Sequence, residues 1–180
     1  MRQAGSEVDL RAHIRDIPDF PTPGILFKDI TPLLLDPAAL DAAVAGLADW
    51  SRPREVEFVV AAEARGFILG AALARELGAG FVPARKPGKL PSDTISAEYI
   101  LEYGVDALEL HADAIAHGAR VLIHDDLLAT GGTAAALADL VEQIGGEVVG
   151  FAFLVELRFL DGRSRLDGFD VHTLIEYDAE

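Results

Sequence analysis

Residues 121–133 read VLIHDDLLATGGT. An apolar run, Val121 to Ile123, ends in His124 and two adjacent carboxylates, Asp125 and Asp126. Leu127, Leu128 and Ala129 follow, and Thr130-Gly131-Gly132-Thr133 opens an alanine-rich stretch with helical spacing. This order implies a buried strand, a tight turn and a helix start. At such a junction glycine lets the backbone approach an anion closely, and the free N–H groups of the first helical turn point at it. Phosphate alone gives no reason for two carboxylates alongside. A sugar phosphate does: the acids accept hydrogen bonds from ring hydroxyls, while hydroxyls and amides hold the phosphate. The segment is not a Walker loop, since no Gly-Lys-Thr or Gly-Lys-Ser follows, and it lacks the three-glycine spacing of a dinucleotide fingerprint. A plain Thr-capped junction accounts for Thr-Gly-Gly-Thr but leaves the acid pair unexplained.

The rest of the chain alternates strands and helices. Ser6 and Asp9 predict a capped helix to about Asp16. Residues 18–24, PDFPTPG, form a defined loop. Asp36-Pro37 predicts an N-cap and first helical position, with the helix ending near Trp50. Phe58–Ala62 reads as a buried strand, residues 66–77 as a helix stopped by Gly78, and Phe81–Ala84 as the next strand. Val121–Ile123 and Val148–Leu154 flank a helix from Thr133 to Ile144, and Val171–Ile175 closes the pattern. The expected fold is therefore α/β: one domain, a mostly parallel twisted sheet flanked by helices, with right-handed crossovers. Ligands of such sheets bind at the carboxyl ends of strands, where the motif lies. Residues 86–104 are too polar for core and too long for an ordinary connection. They read as a solvated hairpin or, the reading preferred here, a mobile lid.

A chain of 180 residues, half of them apolar, can bury a real core as one domain. The absence of cysteine excludes disulfides and thiolate metal sites. No signal peptide or membrane span is expected, so a soluble cytoplasmic protein follows. A formal charge of −15 argues against nucleic acid as a partner. An anionic substrate then requires locally concentrated positive charge. The only lysines are Lys28, Lys86 and Lys89, and the last two lie with Arg65 and Arg85 in the central third of the chain. His13, His111, His117 and His172 show no metal-ligand spacing.

VLIHDDLLATGGT resembles the signature of the type I phosphoribosyltransferases, which use 5-phosphoribosyl-1-pyrophosphate. Three further segments are similar to the adenine-specific branch of that family: DFPTPGILFKDIT at 19–31, AEARGF at 62–67, and ARKPGKL and LEYG at 84–90 and 101–104. The similarity runs in order from Ile14 to about Leu157. It implies an N-terminal base-recognition hood over residues 1–35, a lid over about 86–104, and transfer of phosphoribosyl to N9 of adenine, giving AMP and pyrophosphate. It also implies a homodimer and Mg2+ held mainly by substrate oxygens and water near Asp125 and Asp126. By resemblance, Asp125 and Asp126 lie beside the ribose, and Ala129, Thr130, Gly131, Gly132 and Thr133 cradle the 5′-phosphate. Glu63, Ala64 and Arg65 form the pyrophosphate loop, with a cis peptide between Glu63 and Ala64. Arg65 lies near both base and pyrophosphate. Arg85, Lys86 and Lys89 approach pyrophosphate, some of them across the dimer interface. Leu26, Phe27 and Lys28 lie where adenine is recognised, largely through backbone groups, and Phe27 either packs in the core or stacks on the base. Glu102 is the lid carboxylate that handles the purine proton, and Tyr103 is its lid neighbour.

Two positions depart from the family pattern. His124 stands where an aliphatic residue is common and reads as a packed strand histidine. Lys28 stands where some members carry arginine, which matters only if the side chain reads the base. The alternatives are a 6-oxopurine phosphoribosyltransferase and a non-catalytic regulator that senses phosphoribosyl pyrophosphate. The first should lack the FPTPG and ARKPGKL segments, and the second should carry a basic surface.

Overall fold

A computed structural model describes residues 8–101 and 104–179. Five parallel strands form the central sheet: β3 (Phe58–Ala62), β4 (Gly80–Ala84), β7 (Arg120–Leu128), β8 (Glu147–Leu157) and β9 (Val171–Tyr177), in the order β4-β3-β7-β8-β9. Two antiparallel pairs stand apart from it. One is β1 (Arg15–Ile17) with β2 (Phe27–Asp29), and the other is β5 (Thr94–Leu101) with β6 (Gly104–His111). The helices are α1 (Thr31–Leu35), α2 (Pro37–Ser51), α3 (Gly66–Leu77) and α4 (Gly132–Gln143).

The sheet strands are apolar on both faces because both faces are covered. Successive residues point to opposite sides. Val59 of β3 and Leu122 of β7 pack with Leu47 of α2 and Leu73 of α3. Val60, Val121 and Ile123 pack instead with Leu137 and Leu140 of α4 and with Leu108 and Leu110 of β6. The hairpin therefore shares a core with α4.

Local chemistry sets the helix ends. Asp36 accepts hydrogen bonds from the amides of Ala38 and Ala39 at 2.8 and 3.0 Å, with Pro37 at the first turn of α2. Gly78 ends α3 in the left-handed conformation at φ 70°, its N–H turned back to Ala74 and Arg75. The strands expected at Phe58–Ala62 and Phe81–Ala84, and the helices expected from Asp36-Pro37, from 66 and near Thr133, all form within a residue or two.

Two expectations are corrected. The helix expected to run to Asp16 is a single 3-10 turn, Leu10–His13, capped by Asp9 and followed by β1; Ser6 lies outside the described residues. Pairing of Arg15 to Ile17 with Phe27 to Asp29 overrides the weak helical pattern. Strand β7 does not end at Ile123 but runs through both acids to Leu128, because the long neighbour β8 keeps pairing with it, Asp125 opposite Phe153 and Leu128 opposite Glu156. Within the segment 86–104 regular structure begins at Thr94, where β5 and β6 pair in register from Thr94 with His111 to Leu101 with Gly104.

Candidate active site

The acid pair sits where the sheet opens. Strand β3 pairs with β7 only as far as Ala61 opposite His124. From Asp125 onward β7 has β8 on one side and no strand on the other among the described residues. The chain turns from β3 outward to β4 and from β7 outward to β8, so this gap is the switch point of the sheet. Helix α3 starts at its lip. A Cβ on Gly66 would lie 2.8 Å from Asp125 Oδ1, so glycine permits this close approach.

Asp125 is half-buried and Asp126 is buried. Asp125 Oδ1 accepts a hydrogen bond from the Asp126 amide at 2.9 Å. Burial, and then the charge of Asp126, holds the Asp125 carboxyl well above the usual carboxylate range. Burial also raises Asp126, against the pull of Arg65. Arg65 Nε lies 3.0 Å from Asp126 Oδ2 but off the line of a hydrogen bond, so that buried oxygen has no hydrogen-bond partner. The same guanidinium lies over the Phe27 ring, 4.9 Å from its centroid. Arg65 thus joins the acid pair to the segment expected to meet the base.

Beyond β7, residues 129–131 lead into α4, whose N-cap Gly131 is left-handed at φ 79° with no side chain capping the helix. A cavity of about 130 Å³ lies under this turn, lined by Asp125, Thr130, Gly131, Gly132, Thr133 and Phe153 among others. One water occupies roughly 30 Å³ in the liquid, so the space is several waters large.

Opposite lies the basic segment. The Glu63–Ala64 peptide is cis, as expected. Arg85 Nε donates to Glu63 Oε2 at 2.7 Å, and its Nη1 reaches the Lys89 carbonyl at 3.3 Å. Lys86 Nζ lies 3.1 Å from Asp106 of β6, a contact that raises Lys86 and lowers Asp106 in pKa. Gly88 donates its amide to Glu109 of β6 at 3.1 Å. The cationic turn and the hairpin are therefore one tethered unit. Glu102 and Tyr103 lie outside the described residues.

Lys28, expected where the base is recognised, turns its side chain into the protein. Its side chain is 3% exposed, 2.8 Å from Asp16 Oδ1 and 4.1 Å from the Tyr177 ring centroid. Any contact it makes with a base is through backbone. Lys28→Met should cost about 1–2 kcal/mol of stability, a fall of roughly 2–8 °C in Tm for this size, with the KM for adenine nearly unchanged. Thermal denaturation beside initial rates checks this. A raised KM at unaltered Tm would return the side chain to the base pocket.

His124 is fully buried, with Nδ1 2.8 Å from the Ala152 carbonyl. Burial pushes its pKa down to about 4, so it is a neutral packed histidine. Tyr99 was not singled out from sequence. It lies on β5 against Thr133 and Asp106, and burial raises its pKa. Only the fold brings it to the turn, although its place in the alternating run 94–101 is a weak signal.

A phosphoribosyl transferase domain spans residues 34–171. The adenine phosphoribosyltransferase of Thermotoga maritima is 59% identical over 171 residues, covering 95% of this chain and 99% of that protein. The chain belongs to the adenine phosphoribosyltransferase family. Crystal structures of adenine phosphoribosyltransferases share its fold. That from Thermoanaerobacter pseudethanolicus has a TM-score of 0.91 at 56% identity, covering 93% of this chain and 98% of that one. That from Saccharomyces cerevisiae, complexed with adenine and an imino-altritol bisphosphate, has a TM-score of 0.86 at 40% identity, covering 91% and 95%. No described helix of this adenine phosphoribosyltransferase family member is long and apolar enough to cross a membrane.

Proposed function

We propose that this chain transfers the phosphoribosyl group of 5-phosphoribosyl-1-pyrophosphate to N9 of adenine, releasing AMP and pyrophosphate. The observation that carries the reading is the Asp125–Asp126 pair at the open end of β7, beside the uncapped turn into α4 and joined by Arg65 to Phe27. The relatives' names, and adenine in the yeast complex, support the same substrate.

The chemistry follows from where charge develops. As pyrophosphate leaves C1 of the ribose, the ring gains positive charge and the leaving oxygens negative. The carboxylates of Asp125 and Asp126 face the ring and accept from its hydroxyls. Arg65, Arg85, Lys86 and Lys89 supply fixed positive charge on the pyrophosphate side. Residues 129–133 hold the 5′-phosphate with amides and hydroxyls. The unpaired edge of the β1–β2 ribbon presents backbone groups of Leu26, Phe27 and Lys28 to adenine, with Phe27 and Arg65 bounding the base. Glu102 accepts the purine proton. In this reading residues 86–101 belong to a lid that closes over the site and excludes water, and residues 8–35 belong to the hood.

Mg2+ fits these residues. Asp126 keeps a buried oxygen without a hydrogen bond, and two adjacent carboxylates are hard oxygen donors. Asp125 and Asp126 would hold the ion together with substrate oxygens and water, since among the described residues no three His, Cys, Asp or Glu side chains gather into a metal site. When bound, it neutralises charge on the leaving pyrophosphate. The protein acts in the cytoplasm as a homodimer; the exposed side chains of Leu35 and Ile68 suit such a contact.

Incubated with phosphoribosyl pyrophosphate, adenine and Mg2+, the protein should form AMP and pyrophosphate. Chelating the metal should abolish the reaction. Absence of AMP in the complete mixture would overturn the proposal.

A further inference from the structure

The 5′-phosphate turn rests on a second piece of backbone that its own sequence does not announce. Gly162 begins a 3-10 turn, Gly162–Leu166, and its φ is not in the left-handed region. Nothing in its own conformation calls for glycine. Its surroundings do. A Cβ at 162 would lie 2.2 Å from the Ala129 carbonyl oxygen, 3.0 Å from the Ala129 carbon and 3.0 Å from the Gly131 nitrogen. Reciprocally, a Cβ at Gly131 would lie 2.3 Å from the Gly162 carbonyl oxygen. Two backbones touch face to face, and each has a glycine at the contact.

The next residue ties that support to the sheet. Arg163 grips Glu156 with two hydrogen bonds, Nε to Oε1 at 2.7 Å and Nη2 to Oε2 at 2.8 Å. It also donates to the Val171 carbonyl at 2.9 Å and to Thr173 Oγ1 at 3.3 Å. Glu156 is buried and stands opposite Leu128, the residue before Ala129. Thr173 donates a further bond to Glu156 Oε2 at 3.1 Å. Leu166, buried in the core, closes the turn. Arg163 therefore reads off the positions of β8 and β9 and transmits them to Gly162. A bidentate guanidinium–carboxylate pair is suited to this because its planar fork fixes direction as well as distance.

We propose that Gly162 and Arg163 are positioning residues for phosphoribosyl binding: their turn is a platform that sets the aim of the amides of residues 129–131. The inference rests on the phosphoribosyl-transfer reading above. Neither residue lines the cavity under the turn. A binding turn displaced by as little as an ångström loses much of its hold on a ligand, with losses reaching about 10²-fold.

The test is calorimetric titration with ribose 5-phosphate, together with initial rates. Gly162→Ala is expected to weaken ribose 5-phosphate by about tenfold and to raise the KM for phosphoribosyl pyrophosphate similarly. The KM for adenine should stay within about twofold, a split that general loosening of the fold would not produce. Arg163→Lys keeps the charge but loses the fork. It should shift the same two quantities in the same direction by a smaller factor, and Arg163→Met by a larger one. If Gly162→Ala does not fold, the two Arg163 variants decide the matter. Unchanged ribose 5-phosphate affinity in folded variants, or equal losses for both substrates, would overturn the proposal. Failure of the wild-type protein to bind ribose 5-phosphate or to form AMP would instead sink the underlying functional reading.

Discussion

Offered hypoxanthine in place of adenine, the protein should show a kcat/KM lower by about 10³-fold or more. Adenine presents an acceptor at N1 and a donor at its 6-amino group. Hypoxanthine presents the reverse. Strand β2 belongs to a two-stranded ribbon, so one of its edges carries N–H and C=O groups without a strand partner among the described residues. Those groups are fixed in kind and cannot exchange roles. A backbone donor that meets a purine donor is left buried and unsatisfied, at about 1–3 kcal/mol for each such group. Two mismatched groups multiply, and the carbonyl–carbonyl approach adds repulsion. The buried turn of Lys28 toward Asp16 and Tyr177 keeps its flexible side chain from adapting to either base. Parallel measurement of nucleotide formation from the two bases checks this. Comparable rates would show that β2 backbone does not read the base.

Asp125→Asn should make the protein more stable and much less active. Burial and the neighbouring Asp126 disfavour the Asp125 carboxylate, so the folded chain carries an electrostatic penalty for ionising it. The sign follows from linkage. A carboxyl raised in the folded state imposes no penalty at pH below its unfolded value near 3.8. The penalty grows as pH rises toward the folded value and is constant above it. Asparagine does not titrate, and its Oδ1 can still accept from the Asp126 amide. The Tm of the variant should therefore overtake that of the wild type as pH climbs from about 4, by roughly 2–4 °C for each kcal/mol relieved. Activity should move the other way. A hydrogen bond to a charged acceptor is worth about 1.5–3 kcal/mol, so losing the carboxylate proposed to accept from the ribose should lower kcat/KM by roughly 10- to 150-fold. Scanning calorimetry across pH, paired with initial rates, tests both halves. A variant both less stable and fully active would remove Asp125 from the site.

The acid pair, the glycine turn and the basic segment were all legible because each is a local grouping with its own chemistry. Asp36-Pro37 and Gly78 marked helix ends for the same reason: caps act within a few residues. The hairpin was half-legible. Polarity flagged 86–104, but the pairing from Thr94 to His111 depends on a partner strand whose apolar residues face α4.

What the chain alone determined, then, was its alternation of strand and helix and the local grouping of acids, glycines and cations proposed here to meet a sugar phosphate, since both depend on neighbours a few residues away. Tertiary structure decided how those groups are held. β7 outlasts its apolar run because β8 does. Lys28 turns inward because Tyr177, far along the chain, offers it a ring. The Asp125 carboxyl is held up by burial that no residue type displays. Gly162 is tied to glycine by the carbonyl of Ala129, against which only the folded sheet places it. Burial, contact and electrostatic environment are properties of distance in space, and distance in space is not written at any single position.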